Sequence, residues 1–332
     1  MSMRREPCGG ILAGALLFAV TLFAATLFAV TAWGQVAAPS LTPFSFVTEN
    51  PAAVQWGSPS RVGAGVSQAQ ALSDPTNPAQ PRARDNFTGG GGGLRWVGQV
   101  VSAAAEYSHA DNAGTPHNEG EFSDDSRVAL GLRLASFLTL GAGQVSQTVR
   151  TFQLGVLGED AHEIPQYGLS LRLGEWLFLG GAAGQDFVKH TDLLTPANGF
   201  KTSRDVATYG AGIRTGGAVA THIEYYTVEH GKFAKKNLGV TGRQTADTGV
   251  AEFNFGGFLL GYATTHTTQD AAQPTIDNDR LDIGYAPFSG WTVVARGELA
   301  KLKFPQATAA ATGTNSITTT SYSLLVTYLF KS

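Results

Sequence analysis

The 332-residue chain contains one cysteine, Cys8, and two methionines. One thiol makes no internal disulfide and no thiolate cluster. Charged residues are scarce at 15%, against roughly a quarter in soluble domains. The formal net charge is −3, so no basic excess points to nucleic acid. Past residue 34 no apolar run is long enough for a membrane helix, which takes about 20 residues. A bundle of transmembrane helices is therefore excluded. Glycine, by contrast, is abundant at 41 residues, and mean hydropathy is −0.02. Such a balance suits a chain that alternates apolar with small polar residues.

The one long apolar run is N-terminal. Arg4 and Arg5 precede ILAGALLFAVTLFAATLFAVTAWG, and Ala32-Trp33-Gly34 is a small-x-small cleavage candidate. Residues 1–34 read as a secretory signal peptide; an uncleaved inner-membrane anchor is the alternative. Cys8 lies before the run, which argues against a lipid-attachment site. Removing the leader leaves no cysteine.

The rest of the chain has a period of two. In RVALGLRL, Val128, Leu130, Leu132 and Leu134 share one face, opposite Arg127, Ala129, Gly131 and Arg133. This is strand periodicity. Tyr167, Leu169, Leu171 and Leu173 repeat it, as do Tyr322, Leu324, Val326, Tyr328 and Phe330. Short connections (134–137, 173–176, 215–218, 255–258, 286–290) alternate with long polar ones (109–125, 189–205, 229–247). That asymmetry is the mark of a transmembrane β-barrel. The predicted class is all-β: a transmembrane antiparallel β-barrel of about 14 strands, 59–70, 85–96, 99–109, 125–134, 137–149, 163–173, 176–189, 205–214, 218–229, 246–255, 258–267, 278–286, 290–304 and 318–330. Three segments follow: the leader 1–34, a short N-terminal periplasmic or plug segment 35–58, and an outer-membrane barrel 59–332. Trp96, Phe137, Trp176, Phe255, Phe258, Tyr285, Phe288, Trp291, Tyr328 and Phe330 cluster beside the short turns, as an interfacial girdle requires. Gly89 to Gly93 is a candidate kink.

One hairpin unit recurs. LGLRLASFLTLGAG (130–143) aligns without a gap with LSLRLGEWLFLGGA (169–182), and more faintly with sequence around 95 and 214. Arg95, Arg133, Arg172 and Arg214 then share one position, two residues before a short turn and on the inward face. In one reading this row binds or steers an anionic head group. In the other the arginines pair with lumen acids such as Glu106, Glu252, Asp282 and Glu298, or with the N-terminal segment, and fill the barrel.

ENPAAVQWGSPSRVGAGVSQ (49–68) resembles the start of the outer-membrane long-chain fatty acid and hydrocarbon transporters, the FadL/TodX-like family. There an Asn-Pro-Ala motif closes an N-terminal plug and the first strand follows; here the motif is Asn50, Pro51, Ala52. The resemblance implies passive uptake of fatty acids or hydrocarbons across a Gram-negative-type outer membrane. It also implies capture by apolar exterior loops, sideways release through a kinked strand, outer-membrane lipid as surroundings and assembly by the barrel-assembly machinery. The loop residues Leu193, Leu194, Phe200 and Phe233 suit such capture, or pack the loops on one another. The chain departs from the family in having only a short stretch before the barrel and no Gly-rich run before the motif.

Other chemistry finds little support in the sequence. His222-x-Glu224 places two ligand types on one strand face without a third, and Ser108-His109 near Glu106 is the nearest approach to a hydrolytic set. Asp124-Asp125 reads as a solvated pair in a polar loop. No catalytic residue, metal or cofactor is expected. A small-solute porin and a structural surface barrel are the competing functions.

Overall fold

The structure is a computed structural model. It describes residues 50–55, 60–79, 82, 84–112, 121–153, 156–174, 176–193, 199–216, 219–232, 243–269, 274–286, 290–306, 309 and 313–330. The predicted leader and residues 35–49 lie outside the described residues.

Fourteen antiparallel strands close into one barrel, each paired with its sequence neighbours, and β1 with β14. They are β1 Arg61–Pro75, β2 Arg84–Val97, β3 Val101–Asn112, β4 Phe122–Ala135, β5 Leu138–Gln153, β6 Val156–Leu173, β7 Leu177–Asp192, β8 Phe200–Arg214, β9 Val219–His230, β10 Gln244–Phe255, β11 Phe258–Gln269, β12 Thr275–Tyr285, β13 Trp291–Lys303 and β14 Thr314–Leu329. Closure leaves no edge, so every strand finds ladder partners that lipid does not provide. Alternation does the rest. Leu130, Leu169, Tyr209, Ile223, Ile283 and Leu299 stand exposed on the outside, while Arg95, Ser170, Asp186, Arg204, Asp282 and Arg296 are buried on the inside.

The short turns are as tight as their sequences demand. Gly256 and Gly257, between Phe255 and Phe258, take φ of 55° and 83°. A two-residue hairpin loop of this type needs positive φ at both positions, which glycine adopts without strain. The girdle beside these turns is continuous on the β10–β12 side. Phe258 lies 6.1 Å from Phe255 and 4.9 Å from Tyr285, ring centre to ring centre. Trp291 packs tilted against Tyr328, with ring centres 5.0 Å apart.

At the opposite end the strands run further than the sequence pattern indicates. β5 and β6 continue to Gln153 and Val156, β8 begins at Phe200, and β4 begins at Phe122. Asp124 and Asp125 therefore do not sit in a solvated loop. Asp124 faces outward and accepts hydrogen bonds from Tyr107 (2.7 Å) and His109 (3.1 Å); Asp125 faces inward against Arg127 at 3.3 Å. Above the lipid both faces are polar, so the contrast that reveals a strand disappears although the strand continues.

A diagonal contact repeats along this upper outer surface. Tyr107, Tyr209, Tyr225 and Tyr262 donate their hydroxyls to Asp124, Glu229, Asp247 and Asp279 respectively. In each case the acid is on the following strand, two residues beyond the tyrosine's register partner.

The Gly89–Gly93 run does not kink its strand. It pairs in unbroken register with β1 on one side and β3 on the other. The ladder is interrupted on β6 instead. Pairing with β7 passes from Glu163–Phe187 to Gln166–Gly184, omitting Ile164 and Pro165. A Cβ added at Gly184 would meet the Pro165 carbonyl oxygen. Pro165 therefore turns its backbone toward β7, and its missing N–H is missing from that ladder.

Candidate functional site

The lumen is layered. Nearest the short turns lies the arginine row. Arg95, Arg133, Arg172 and Arg214 all occupy inward positions, and Arg61, directly opposite Arg95, joins them. Arg95 grips the N-terminal segment: its Nη2 and Nε donate to the Val54 carbonyl oxygen at 2.6 and 3.2 Å. Arg172 donates to the Gly174 carbonyl at 3.0 Å. Arg61, Arg133 and Arg214 also have interaction partners.

The segment itself is a short 3₁₀ turn, Pro51–Gln55, packed on β4, β5 and β6 inside the barrel. Asn50, Ala52 and Val54 have no exposed surface. The Asn50 side chain works in both directions. Its Oδ1 accepts from the Ala52 N–H at 3.0 Å and its Nδ2 donates to the Leu169 carbonyl at 3.1 Å. Ser170 donates to the Ala52 carbonyl at 3.0 Å. Close approach is possible because the wall is glycine there: a Cβ at Gly141 would overlap the Ala52 backbone, and one at Gly168 would overlap the Asn50 side-chain oxygen. Leu169, Ser170 and Gly141 all belong to the repeated hairpin unit, so the repeat furnishes the seat of the Asn-Pro-Ala motif.

The lumen acids are matched largely by arginines that the sequence reading did not single out. Arg296 grips Asp282 with two bonds, 2.9 and 3.0 Å. Arg204 Nε meets Asp186 at 2.9 Å, and Arg280 lies 3.8 Å from Glu298. His222 and Glu224, the candidate pair on β9, face inward and contact each other at 2.5 Å. Ser108 and His109 point to opposite faces, so they form no hydrolytic set with Glu106.

Midway up, the lumen wall becomes apolar. Val145, Ile164, Val206 and Val228 form one buried cluster, with Tyr226 and Ala246 against it. Val250 and Ala263 form a second, again touching Tyr226. Tyr226 also packs against Ala53 and Val54 of the N-terminal segment. It thus connects the segment with both apolar clusters. Gly210, its register partner, makes room: a Cβ there would lie 2.5 Å from that of Tyr226.

A polar tier stands one pleat above, on the loop side. His162 lies two residues from Ile164, Arg204 from Val206, His230 from Val228 and Gln244 from Ala246. His162 Nδ1 contacts Asp186 Oδ1 at 2.9 Å, and Arg204 Nη1 donates to Gln244 Oε1 at 3.5 Å. The tier was hidden in the sequence because His162 falls just before the expected start of its strand. Higher still, Phe200 stacks on His190 at 4.8 Å, a lumen-wall position rather than a free loop. Leu193 is exposed at the end of β7. Leu194 and Phe233 lie outside the described residues.

Beside the segment, Pro51, Glu106, Arg127, Gly143, Val145 and Gln166 line a small cavity. Outside, Leu94, Trp96, Ala105, Leu130, Pro165 and Tyr167 line a membrane-facing recess. Ala104, Val128, Ala129, Gly143 and Gln144 border both. Between the two, the wall is little more than backbone and small side chains.

No protein-family description and no curated protein matches the sequence. Solved structures do share the fold. A CymD monoaromatic hydrocarbon channel aligns with a TM-score of 0.50 at 11% identity, covering 89% of this chain and 95% of that one. A TodX monoaromatic hydrocarbon channel carrying the deltaS2S3 mutation gives 0.54 at 9%, covering 90% and 98%. The P. putida toluene transporter TodX gives 0.50 at 7%, covering 86% and 94%. The likeness extends over nearly the whole of each barrel, and at these identities it is a likeness of fold.

Proposed function

Starting from the fold shared with hydrocarbon channels, we propose that this chain is an outer-membrane diffusion channel for hydrophobic molecules. The observation that carries the reading is the apolar tier inside the lumen. A water-filled porin keeps its lumen open, whereas Val145, Ile164, Val206 and Val228 are buried against one another inside this one, an apolar filling that excludes water and that an apolar guest joins as the side chains part. Uncharged cargo suits this lumen best. Arg127, Arg204, Arg280 and Arg296 face acids, and Arg95 holds the N-terminal segment, so a carboxylate competes with bonds already made. The hydrocarbon channels that share the fold carry cargo of the same class.

In this reading residues 50–55 are the described part of a plug segment, held in the lumen by Arg95 and Ser170, and exposed Leu193 marks the entry rim. Cargo passes the apolar tier, displaces Tyr226 and leaves sideways through the thin wall of β3, β4 and β5. The leader directs export, and insertion uses the barrel-assembly machinery.

Reconstituted protein tests this. Proteoliposomes should accelerate uptake of a neutral hydrocarbon, while planar bilayers show no large steady conductance. The double variant Val206→Thr/Val228→Thr, nearly the same in volume but polar, should slow that uptake with the barrel intact by gel mobility. A large constant ion conductance with no hydrocarbon uptake would instead identify a porin.

A further inference from the structure

The polar tier above the apolar clusters has a chemistry that an inert hydrocarbon does not use. Asp186 accepts from Arg204 through Oδ2 at 2.9 Å and meets His162 Nδ1 through Oδ1 at 2.9 Å. An ionised carboxylate only accepts, so His162 Nδ1 carries the proton. The guanidinium already balances the carboxylate charge. In the neutral imidazole, Nε2 is then a bare lone pair, its tautomer fixed by the bond at the other nitrogen. His162 is 3% exposed, and its Nε2 has no hydrogen-bond partner among the described residues. His230, 2% exposed, likewise has a buried Nδ1 without a partner among them. The two imidazoles and the Asp186–Arg204 pair lie within electrostatic reach of one another. Ile164 and Val228 lie one pleat below His162 and His230. The result is a buried hydrogen-bond acceptor packed above a buried apolar cluster, which a ligand reaches by parting these side chains.

We propose that His162 and His230, set over Ile164, Val206 and Val228, form a head-group site for a singly hydroxylated hydrophobe, a phenol or an alcohol. The hydroxyl donates to His162 Nε2 and the hydrocarbon body rests on the apolar tier. This inference rests on the hydrophobe-channel reading and narrows it. A ketone or ether has no proton to give. A carboxylate meets a charge-balanced Asp–Arg pair and a lone pair.

The test uses the full barrel, labelled with ¹⁵N-histidine, in detergent micelles. The His162 signal is assigned by its loss in His162→Phe or, if that variant fails to fold, by its loss in His162→Gln. The probes are p-cresol and p-xylene, which differ by a hydroxyl against a methyl. The expected result is a saturable shift of His162 Nε2 with p-cresol, no such shift with p-xylene, and roughly fivefold tighter binding of p-cresol, the worth of one net hydrogen bond. Equal binding of both probes with an unmoved His162 signal overturns the head-group site while leaving the channel intact. Preferential binding of p-toluate to a doubly protonated imidazole overturns it in favour of a cationic site. No saturable binding of any probe removes the site, and the channel function falls with it if proteoliposome uptake is also absent.

Discussion

Two nitrogens of Arg95 converge on one oxygen, the carbonyl of Val54, at 2.6 and 3.2 Å. A sequence separation of 41 residues is thereby closed by a side chain that is 4% exposed. The guanidinium fork makes this possible; an ammonium presents its donors differently. Arg95→Lys should therefore keep the charge and lose the grip. Charge-assisted hydrogen bonds contribute roughly 1.5–3 kcal/mol, enough to raise the fraction of released segment at least tenfold. Faster proteolysis near residue 54, with the barrel itself resistant, is the expected outcome. Unchanged cleavage would show that Asn50 and Ser170 hold the segment without Arg95.

The glycine seat gives a second prediction. Gly168→Ala places a methyl where the Asn50 side-chain oxygen lies, whereas Gly216→Ala has nothing within 4 Å to meet. The first substitution should displace the segment and open a small ion leak in planar bilayers. The second should be silent. A leak in neither would mean that the segment shifts without unblocking the lumen.

Pro165 gives a third. Pro165→Ala restores an N–H to the β6–β7 ladder where Ile164 and Pro165 go unpaired. One net backbone hydrogen bond adds about 1 kcal/mol. Hydrogen exchange of the amides between Gly184 and Phe187 should slow several-fold, while cargo release through the β3–β5 wall stays unchanged. Slower release in this variant would move the exit to the β6–β7 seam.

The thin wall gives a fourth. Ala104→Leu together with Ala129→Leu fills the boundary between the inner cavity and the outer recess. Overpacking costs about 1–3 kcal/mol per site, which a fourteen-strand barrel tolerates. Hydrocarbon uptake should drop sharply while bilayer conductance stays unchanged. Normal uptake in the double variant argues for axial passage.

Much of this architecture is legible in the residue pattern, for identifiable reasons. Where one face meets lipid, Leu130, Leu132 and Leu134 alternate with small or polar residues and the strand is plain. Above the lipid, Asp124 and Asp125 face opposite ways but look alike as letters, so β4 appears to end too early. The arginine row is visible because the short turns keep it in register. Its company is not: the pairing of Arg204 with Asp186 joins residues 18 apart, and nothing local encodes that. His162 disappears for a similar reason, since the polar tier is a property of five neighbouring strands, no one of which announces it. A proline inside β6 signals a ladder break by its chemistry, whereas the regular pairing of Gly89–Gly93 depends on β1 and β3.

The diagonal phenol–carboxylate contacts also act as a depth gauge. On β4 ten residues separate Asp124 from exposed Leu134, but on β12 six separate Asp279 from Tyr285. At about 3.3 Å per residue and a tilt near 40°, the apolar sleeve is roughly 25 Å tall on one flank and about 15 Å on the other. Such hydrophobic mismatch is relieved by leaning the barrel or by thinning the bilayer beside the shorter flank. The full-height flank is the one that carries the recess, so the acyl chains beside it lie at their ordinary thickness.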